Sequence, residues 1–542
     1  MAEDRIGRAS VFLASGTIVS RILGFVKTAL LAAVIGASGA GANAFAAANQ
    51  LPNTIYVVVA GGVLSAVLVP LIVRSAAHAD GGTAYINKIV TLGLVILGGA
   101  AVIATLATPL LTLLVGARMS PGVFGLAVAF GYWCLPQIFF YGMYSLLGEV
   151  LNAKRVFGPF TWVPVLNNLV ALAGLAVFVL VFGADPTGEL WSAGDWSGGM
   201  IALLAGSATL GVAAQALILF WFWRRAGLSY RPDFRWRGVG LRSTAGVAGW
   251  TFGMLLLTTI AGFVETSIVG VSADNSNEAS VYALQTAWLI FMLPHSVITV
   301  SIATAYFTRM SEHAAIGALP RVRADFSSAV RGVTTIVIIA AAVLIVCAYP
   351  FSRVFTSVEP LIASIGNVII AYVLGLVGFS VLFIVQRTFY SLGDTRTPFF
   401  FTLVQVVLFI AGAFACIALP SEWVAFGIAL VTTLAGTVQL VIAIVLLRRR
   451  LGHLEGRRIT ASIARSCVAL LLPVLAGIWL LIVLGGTEPG TGFALSGVMN
   501  AIVSMIAIGA VMAVSYFGVL WIMHSPELRG FAEPLVARLR RR

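Results

Sequence analysis

The chain has 542 residues, of which 60% are hydrophobic and 10% charged, and its mean hydropathy is +1.02. A soluble domain carries about 25% charged residues, and the apolar blocks run along the whole chain, so a soluble catalytic domain on a single anchor is excluded. The formal charge of +13 fits either nucleic acid or the cytoplasmic loops of a membrane protein, and its distribution decides between them.

Crossing the hydrocarbon layer takes about 20 residues. Runs of that length bounded by charge, Pro or Gly predict fourteen spans, at 9–36, 43–73, 89–115, 123–151, 159–182, 199–223, 244–271, 279–307, 332–349, 361–390, 399–419, 424–447, 459–484 and 493–523. The first carries Arg21 and Lys27 and leads directly into the second, unlike a cleavable signal. With a cytoplasmic N-terminus, Arg224, Arg225, Arg309, Arg321, Arg323, Arg331, Arg387, Arg396, Arg448 to Arg450 and Arg465 fall in cytoplasmic loops, whereas the opposite loops hold Arg118 and Arg353. That asymmetry predicts an even number of spans and two cytoplasmic termini. The basic clusters at 224–242 and at Arg538, Arg540, Arg541 and Arg542 then read as anchors on anionic lipid headgroups, with no nucleic acid as partner. The outer loop with Asp185, Glu189 and Asp195 places Trp191 and Trp196 at the interface.

Leu51-Pro52 in the second span echoes Leu293-Pro294 in the eighth. An offset of six helices suggests two six-helix repeats, 1–225 and 226–450, followed by 451–542 with helices thirteen and fourteen and a basic tail. The expected class is an all-α polytopic membrane protein.

No Walker loop, His-Glu-x-x-His or dinucleotide-binding glycine motif is present, and Cys134, Cys347, Cys416 and Cys467 stand singly, without disulfide or zinc spacing. The chain reads as a non-enzyme without metal or cofactor. The informative residues are ionisable groups inside spans, where each costs several kcal/mol unless it meets water or a partner. In span one, Thr17, Ser20, Arg21, Gly24, Lys27 and Thr28 share an arc of roughly 120° on a helical projection. That stripe suits the wall of a water-filled cavity, in which Arg21 holds diphosphate oxygens bidentately and Lys27 adds a point charge. The plainer alternative has Arg21 capping a helix or pairing with a carboxylate, and Lys27 snorkelling to the interface. Span seven sets Glu265 on one face with Thr251, Thr258, Thr259, Gly262 and Thr266; Glu265 either binds a coupling cation or proton, or neutralises Arg21. Asn49, Gln50 and Asn53 surround Pro52, and Gln285 and His295 surround Pro294, each Pro a place for a hinge or a binding site. Interhelical hydrogen bonding is the competing reading and the favoured one for His295. Asn167 and Asn168, after Pro164, fit either.

Ser20-Arg21-Ile22-Leu23-Gly24-Phe25, Asn43-Ala44-Phe45, Leu51-Pro52-Asn53, Pro164-Val165-Leu166-Asn167-Asn168, and Arg387-Thr388-Phe389-Tyr390-Ser391-Leu392-Gly393-Asp394-Thr395-Arg396-Thr397-Pro398 resemble the MurJ (MviN) family of lipid II flippases over essentially the whole chain. The resemblance implies the exporter fold shared with MATE proteins: two six-helix lobes around a central cavity, plus two helices grooved for a lipid tail. It implies that undecaprenyl-diphosphate-linked disaccharide pentapeptide passes to the outer leaflet of the bacterial cytoplasmic membrane by alternating access, without nucleotide hydrolysis. A membrane potential or a monovalent-cation or proton gradient would reset the protein. Arg21 matches a cavity arginine of the family, and Lys27 stands where another arginine is common. The chain departs from the pattern at Asn43 (usually Asp), Tyr56 (usually Arg), Gly61 (often Glu) and around Leu289, where many relatives carry Arg. Alternatives within transport are export of another polyprenyl-linked glycan or of cationic drugs; outside transport, a membrane scaffold recruiting cell-wall synthesis proteins.

Overall fold

The computed structural model describes residues 2–59, 83–154, 156, 158–235, 245–486 and 492–528, with side chains from Ser15 onward except at 83–84, 153, 160 and 245–248. Gly61, Arg242 and the tail arginines Arg538, Arg540, Arg541 and Arg542 lie outside the described residues. All regular structure among the described residues is helical. In chain order it comprises α1 (Ala2–Ile35), α2 (Ala40–Val59), α3 (Thr83–Leu106), α4 (Thr108–Gly116), α5 (Pro121–Cys134), α6 (Gln137–Ala153), α7 (Gly158–Phe182), α8 (Gly198–Leu217), α9 (Leu219–Arg225) and α10 (Ala245–Val269). These are followed by α11 (Val281–Pro294), α12 (Val300–Ala315), α13 (Leu319–Val346), α14 (Ala348–Arg353), α15 (Glu359–Val373), α16 (Leu376–Ser391), α17 (Arg396–Ala415), α18 (Ser421–Leu451), α19 (Gly456–Val483) and α20 (Val498–Ile522).

Among the described residues, thirteen helical stretches are long and apolar enough to cross a membrane. The expected second span appears as α2 up to Val59, and the rest of it falls within the undescribed 60–82. Proline explains two of the divisions within continuous spans. Pro109 sits in the first turn of α4 and Pro136 precedes α6, and a proline without an N–H ends one ladder while it begins the next. The third and fourth spans are thus each two helices. After Pro294 the ladder widens into one π-helical turn, His295–Thr299, before α12.

Several basic residues expected in loops lie on helices. α13 begins at Leu319, well before 332, because Pro320 suits its first turn and Val322, Phe326 and Val330 bury one face at every fourth residue. Arg321, Arg323 and Arg331 ride on that extension. Arg387 belongs to α16, Arg448 to Arg450 end α18, and Arg465 lies in α19.

The chain divides into two compact units, residues 1–276 with 280–282, and 277–279 with 283–542. In the first, Ile89, Leu97, Leu147, Val150, Ala216 and Trp223 form a buried cluster, and the Trp223 indole N–H donates to the Leu147 carbonyl at 3.2 Å. α10, expected to open the second repeat, packs in this unit against α2 and α4. In the second, Ile339, Val346, Ala469, Ile508, Met512 and Tyr516 join α13, α19 and α20, and Tyr516 donates its hydroxyl to the Thr335 carbonyl at 2.9 Å. Lipid is as apolar as these side chains, so close packing and interhelical hydrogen bonds hold the helices together.

Candidate functional site

Small residues bring α1 against α7. A methyl group on Gly16 would meet the Trp162 indole at 2.8 Å, and the Asn168 amide donates to the Ser20 carbonyl at 3.0 Å. Gly24 lies beside the same Asn168. Thr28 donates to the Gly24 carbonyl at 3.0 Å, and its own carbonyl accepts from the Tyr282 hydroxyl at 2.6 Å. The polar stripe is therefore divided. Its Ser20 and Gly24 edge is packed, Lys27 is half-buried, and Thr17 and Arg21 are exposed on the other edge. Beyond Arg21 the open surface turns apolar, with Ile18 and Ile22 at 50% and 58% exposure. Arg21 thus stands at the seam between a packed face and a face suited to lipid.

The polar residues around Pro52 also separate. Gln137 of α6 donates to the Asn49 side chain at 3.3 Å and to Thr209 at 2.9 Å. Gln50 pairs with Thr266 of α10 at 3.0 Å. Both are tied into interhelical bonds, whereas Asn53 is exposed and Pro52 buried. On α10, Glu265 is half-buried beside Thr266, and Thr258 is exposed with its hydroxyl donated to the Met254 and Leu255 carbonyls. In the second unit, His295 is 2% exposed. Its Nδ1 lies 3.3 Å from the Ser380 hydroxyl, which also accepts from Thr299 at 2.9 Å, and its ring packs on Phe379 and Phe383.

Sequence reasoning missed a clamp at the far end of α1 and α2. The fully buried Asn43 amide donates to the Gly39 and Ala273 carbonyls at 3.0 Å each, and its oxygen accepts from the Tyr282 N–H at 3.0 Å. A carboxylate accepts but cannot donate, so an amide suits this position in a way that a carboxylate would not. Asp185, expected to be a surface acid, is 1% exposed and accepts four backbone N–H groups, from Gly188, Glu189, Leu190 and Trp191. Gly36, Gly39 and Gly188 all have positive φ, the one local signal of this close backbone approach. Trp196, expected at the interface, is buried against Phe130 and Phe178.

In the second unit a buried carboxylate collects two of the arginines expected in cytoplasmic loops. Glu527 pairs with Arg331 at 3.0 Å and Arg465 at 3.2 Å. Burial pushes its carboxyl up, but hydrogen bonds from its own N–H, Ser525 and Arg331 outweigh that and leave it below its ordinary 4.5. A lowered folded-state value adds stability above the ordinary value and loses it as pH falls through the folded one. The thermal unfolding midpoint of the purified chain should therefore drop as pH falls below 4.5, and Glu527→Gln should flatten that drop; an equal drop in the variant would show that other groups cause it.

Comparison with known proteins matches this arrangement to one family. The family model described as lipid II flippase MurJ matches residues 31–499. A probable lipid II flippase MurJ of Rhizobium tropici is 26% identical over 475 residues, covering 85% of this chain and 84% of that protein. A Vibrio cholerae relative of the same description is 24% identical over 428 residues, covering 75% and 76%. Among solved structures, a lipid II flippase MurJ in an inward closed conformation superposes with a TM-score of 0.70 at 18% identity, over 94% of this chain and 99% of that one. An inward-facing MATE family transporter of the MOP superfamily gives 0.63 at 14%, over 82% and 99%. At such identities the structural likeness speaks for the fold, and the family match over most of the length decides the rest: the chain belongs to the lipid II flippase MurJ family.

Proposed function

We propose that this chain moves lipid II from the cytoplasmic to the outer leaflet of the bacterial cytoplasmic membrane by alternating access, with both termini in the cytoplasm. The observation that carries the reading is Arg21, a guanidinium exposed within an apolar span beside exposed Thr17, on a helix held by its opposite edge to α7. A permanent charge is kept at such a position where water and an anion reach it. A diphosphate fits because its oxygens match the guanidinium fork, and Lys27, about one and two-thirds turns on, adds a second positive charge. Glu265 on α10 is the candidate for the monovalent cation or proton that resets the cycle, with membrane potential the other source of drive. Depletion of the protein in a host that relies on it should hold lipid II in the inner leaflet, out of reach of an impermeant label. Wild-type chain should restore labelling and the Arg21→Ala, Lys27→Ala double variant should not; normal labelling after depletion would overturn the proposal.

A further inference from the structure

The open face of α12 differs from the apolar stretch of α19. On α19, from Val468 onward, the exposed side chains are apolar, among them Leu471, Leu472, Leu475, Trp479 and Ile482, the pattern of a surface against lipid tails. On α12 they include Ser301, Thr304 and Thr308, which recur at three- and four-residue intervals and so form one stripe. Their hydroxyls now turn back onto their own helix, to the carbonyls of Val297, Val300 and Thr304 at 2.7, 2.7 and 3.3 Å. That is the default of a hydroxyl without a ligand, and the rotor is free to swing outward. Turned outward, such a stripe would offer a row of donors to a polar ligand on the open face.

A cation lies against the neighbouring side of α12, at Phe307. Phe307, one turn from Thr304, lies 5.6 Å from the Arg387 guanidinium carbon, and Phe383 lies 4.8 Å from it. Phenyl rings hold a guanidinium through its flat face and leave the N–H groups, which lie in its plane, for an acceptor. Arg387 is half-buried, and among the described residues no carboxylate pairs with it. The neighbouring acid Asp325 is already occupied, by Arg309 at 2.8 Å and His313 at 2.7 Å, and Glu312 is exposed one turn further along α12.

We infer that Arg387, bordered by Ser301, Thr304 and Thr308, is a second binding place for the diphosphate of a polyprenyl lipid, within the second unit. The guanidinium takes two phosphate oxygens in its plane, and the hydroxyls turn outward to donate to the others. The inference rests on the proposed function and adds a specificity-determining residue to it.

The test uses the full chain in nanodiscs and titrates undecaprenyl diphosphate, with phosphatidylglycerol as the second probe because a bulk headgroup presents the same phosphate chemistry. Arg387→Gln should weaken diphosphate-lipid binding about tenfold while phosphatidylglycerol binding changes little. Arg387→Lys, which keeps the charge and loses the fork, should fall between. The double variant Thr304→Val, Thr308→Val should weaken diphosphate-lipid binding about threefold, roughly half a charge-assisted hydrogen bond, at an unchanged unfolding midpoint. Should Arg387→Gln fail to fold, the lysine and double-threonine variants carry the test. Wild-type affinity in Arg387→Gln, or an equal loss for both lipids, would overturn this inference and leave the proposed function intact. No binding of the diphosphate lipid by the wild type would instead overturn the proposed function.

Discussion

Arg21→Ala should cut translocation of labelled lipid II in proteoliposomes about 100-fold while leaving the purified protein folded. The size follows from the proposed bidentate, charge-assisted contact, worth about 3 kcal/mol. The sparing of the fold follows from its place: Arg21 is exposed, and α1 is held to α7 through Gly16, Gly24 and the Ser20 carbonyl. Arg21→Lys should retain part of the rate, since a point charge attracts the anion without matching two of its oxygens. An alanine variant that transports at the wild-type rate would remove Arg21 from the mechanism. One that loses its thermal transition would assign it to structure, and translocation together with thermal unfolding separates these results.

Asn43→Asp should be the most damaging single-atom change to stability, lowering it by about 3 kcal/mol. The substitution replaces the side-chain donor of Asn43 with an acceptor, in a site with no exposure to solvent. The Gly39 and Ala273 carbonyls, each 3.0 Å from the amide nitrogen, would then face a carboxylate. The Tyr282 N–H would keep its acceptor. Asn43→Ala removes the bonds without burying a charge and should cost less than the aspartate, about 2 kcal/mol. Thermal unfolding of the three proteins in nanodiscs checks the order. An aspartate variant as stable as the wild type would mean that solvent or a proton reaches this site and that the clamp does not depend on a donor.

The signals that survive in sequence are those whose cost is local. A span needs about 20 apolar residues whatever its neighbours, so nearly every membrane helix was visible as a run, and a charge in such a run is expensive wherever the helix packs, which is why Arg21 and Lys27 stood out. Helix ends were less legible. The apolar run near α13 starts after Arg331, yet the helix starts at Leu319, because an amphipathic extension beyond the bilayer is held by one buried face and leaves its arginines on the other. For α12 and α16 the sequence showed a motif around Arg387, but not that Phe307 lies against it.

By itself, then, the amino-acid sequence determined the class of the protein, the positions of its spans and the cations within them, since each reflects the transfer of single segments between water and lipid. Only the tertiary structure decided which polar residues are already spent. Gln50 finds Thr266, Asn43 finds Ala273 and Tyr282, and Glu527 finds Arg331 and Arg465. Each partner comes from a distant stretch of chain, and a hydrogen bond of about 3 Å depends on where two helices meet, which no periodicity within either helix records.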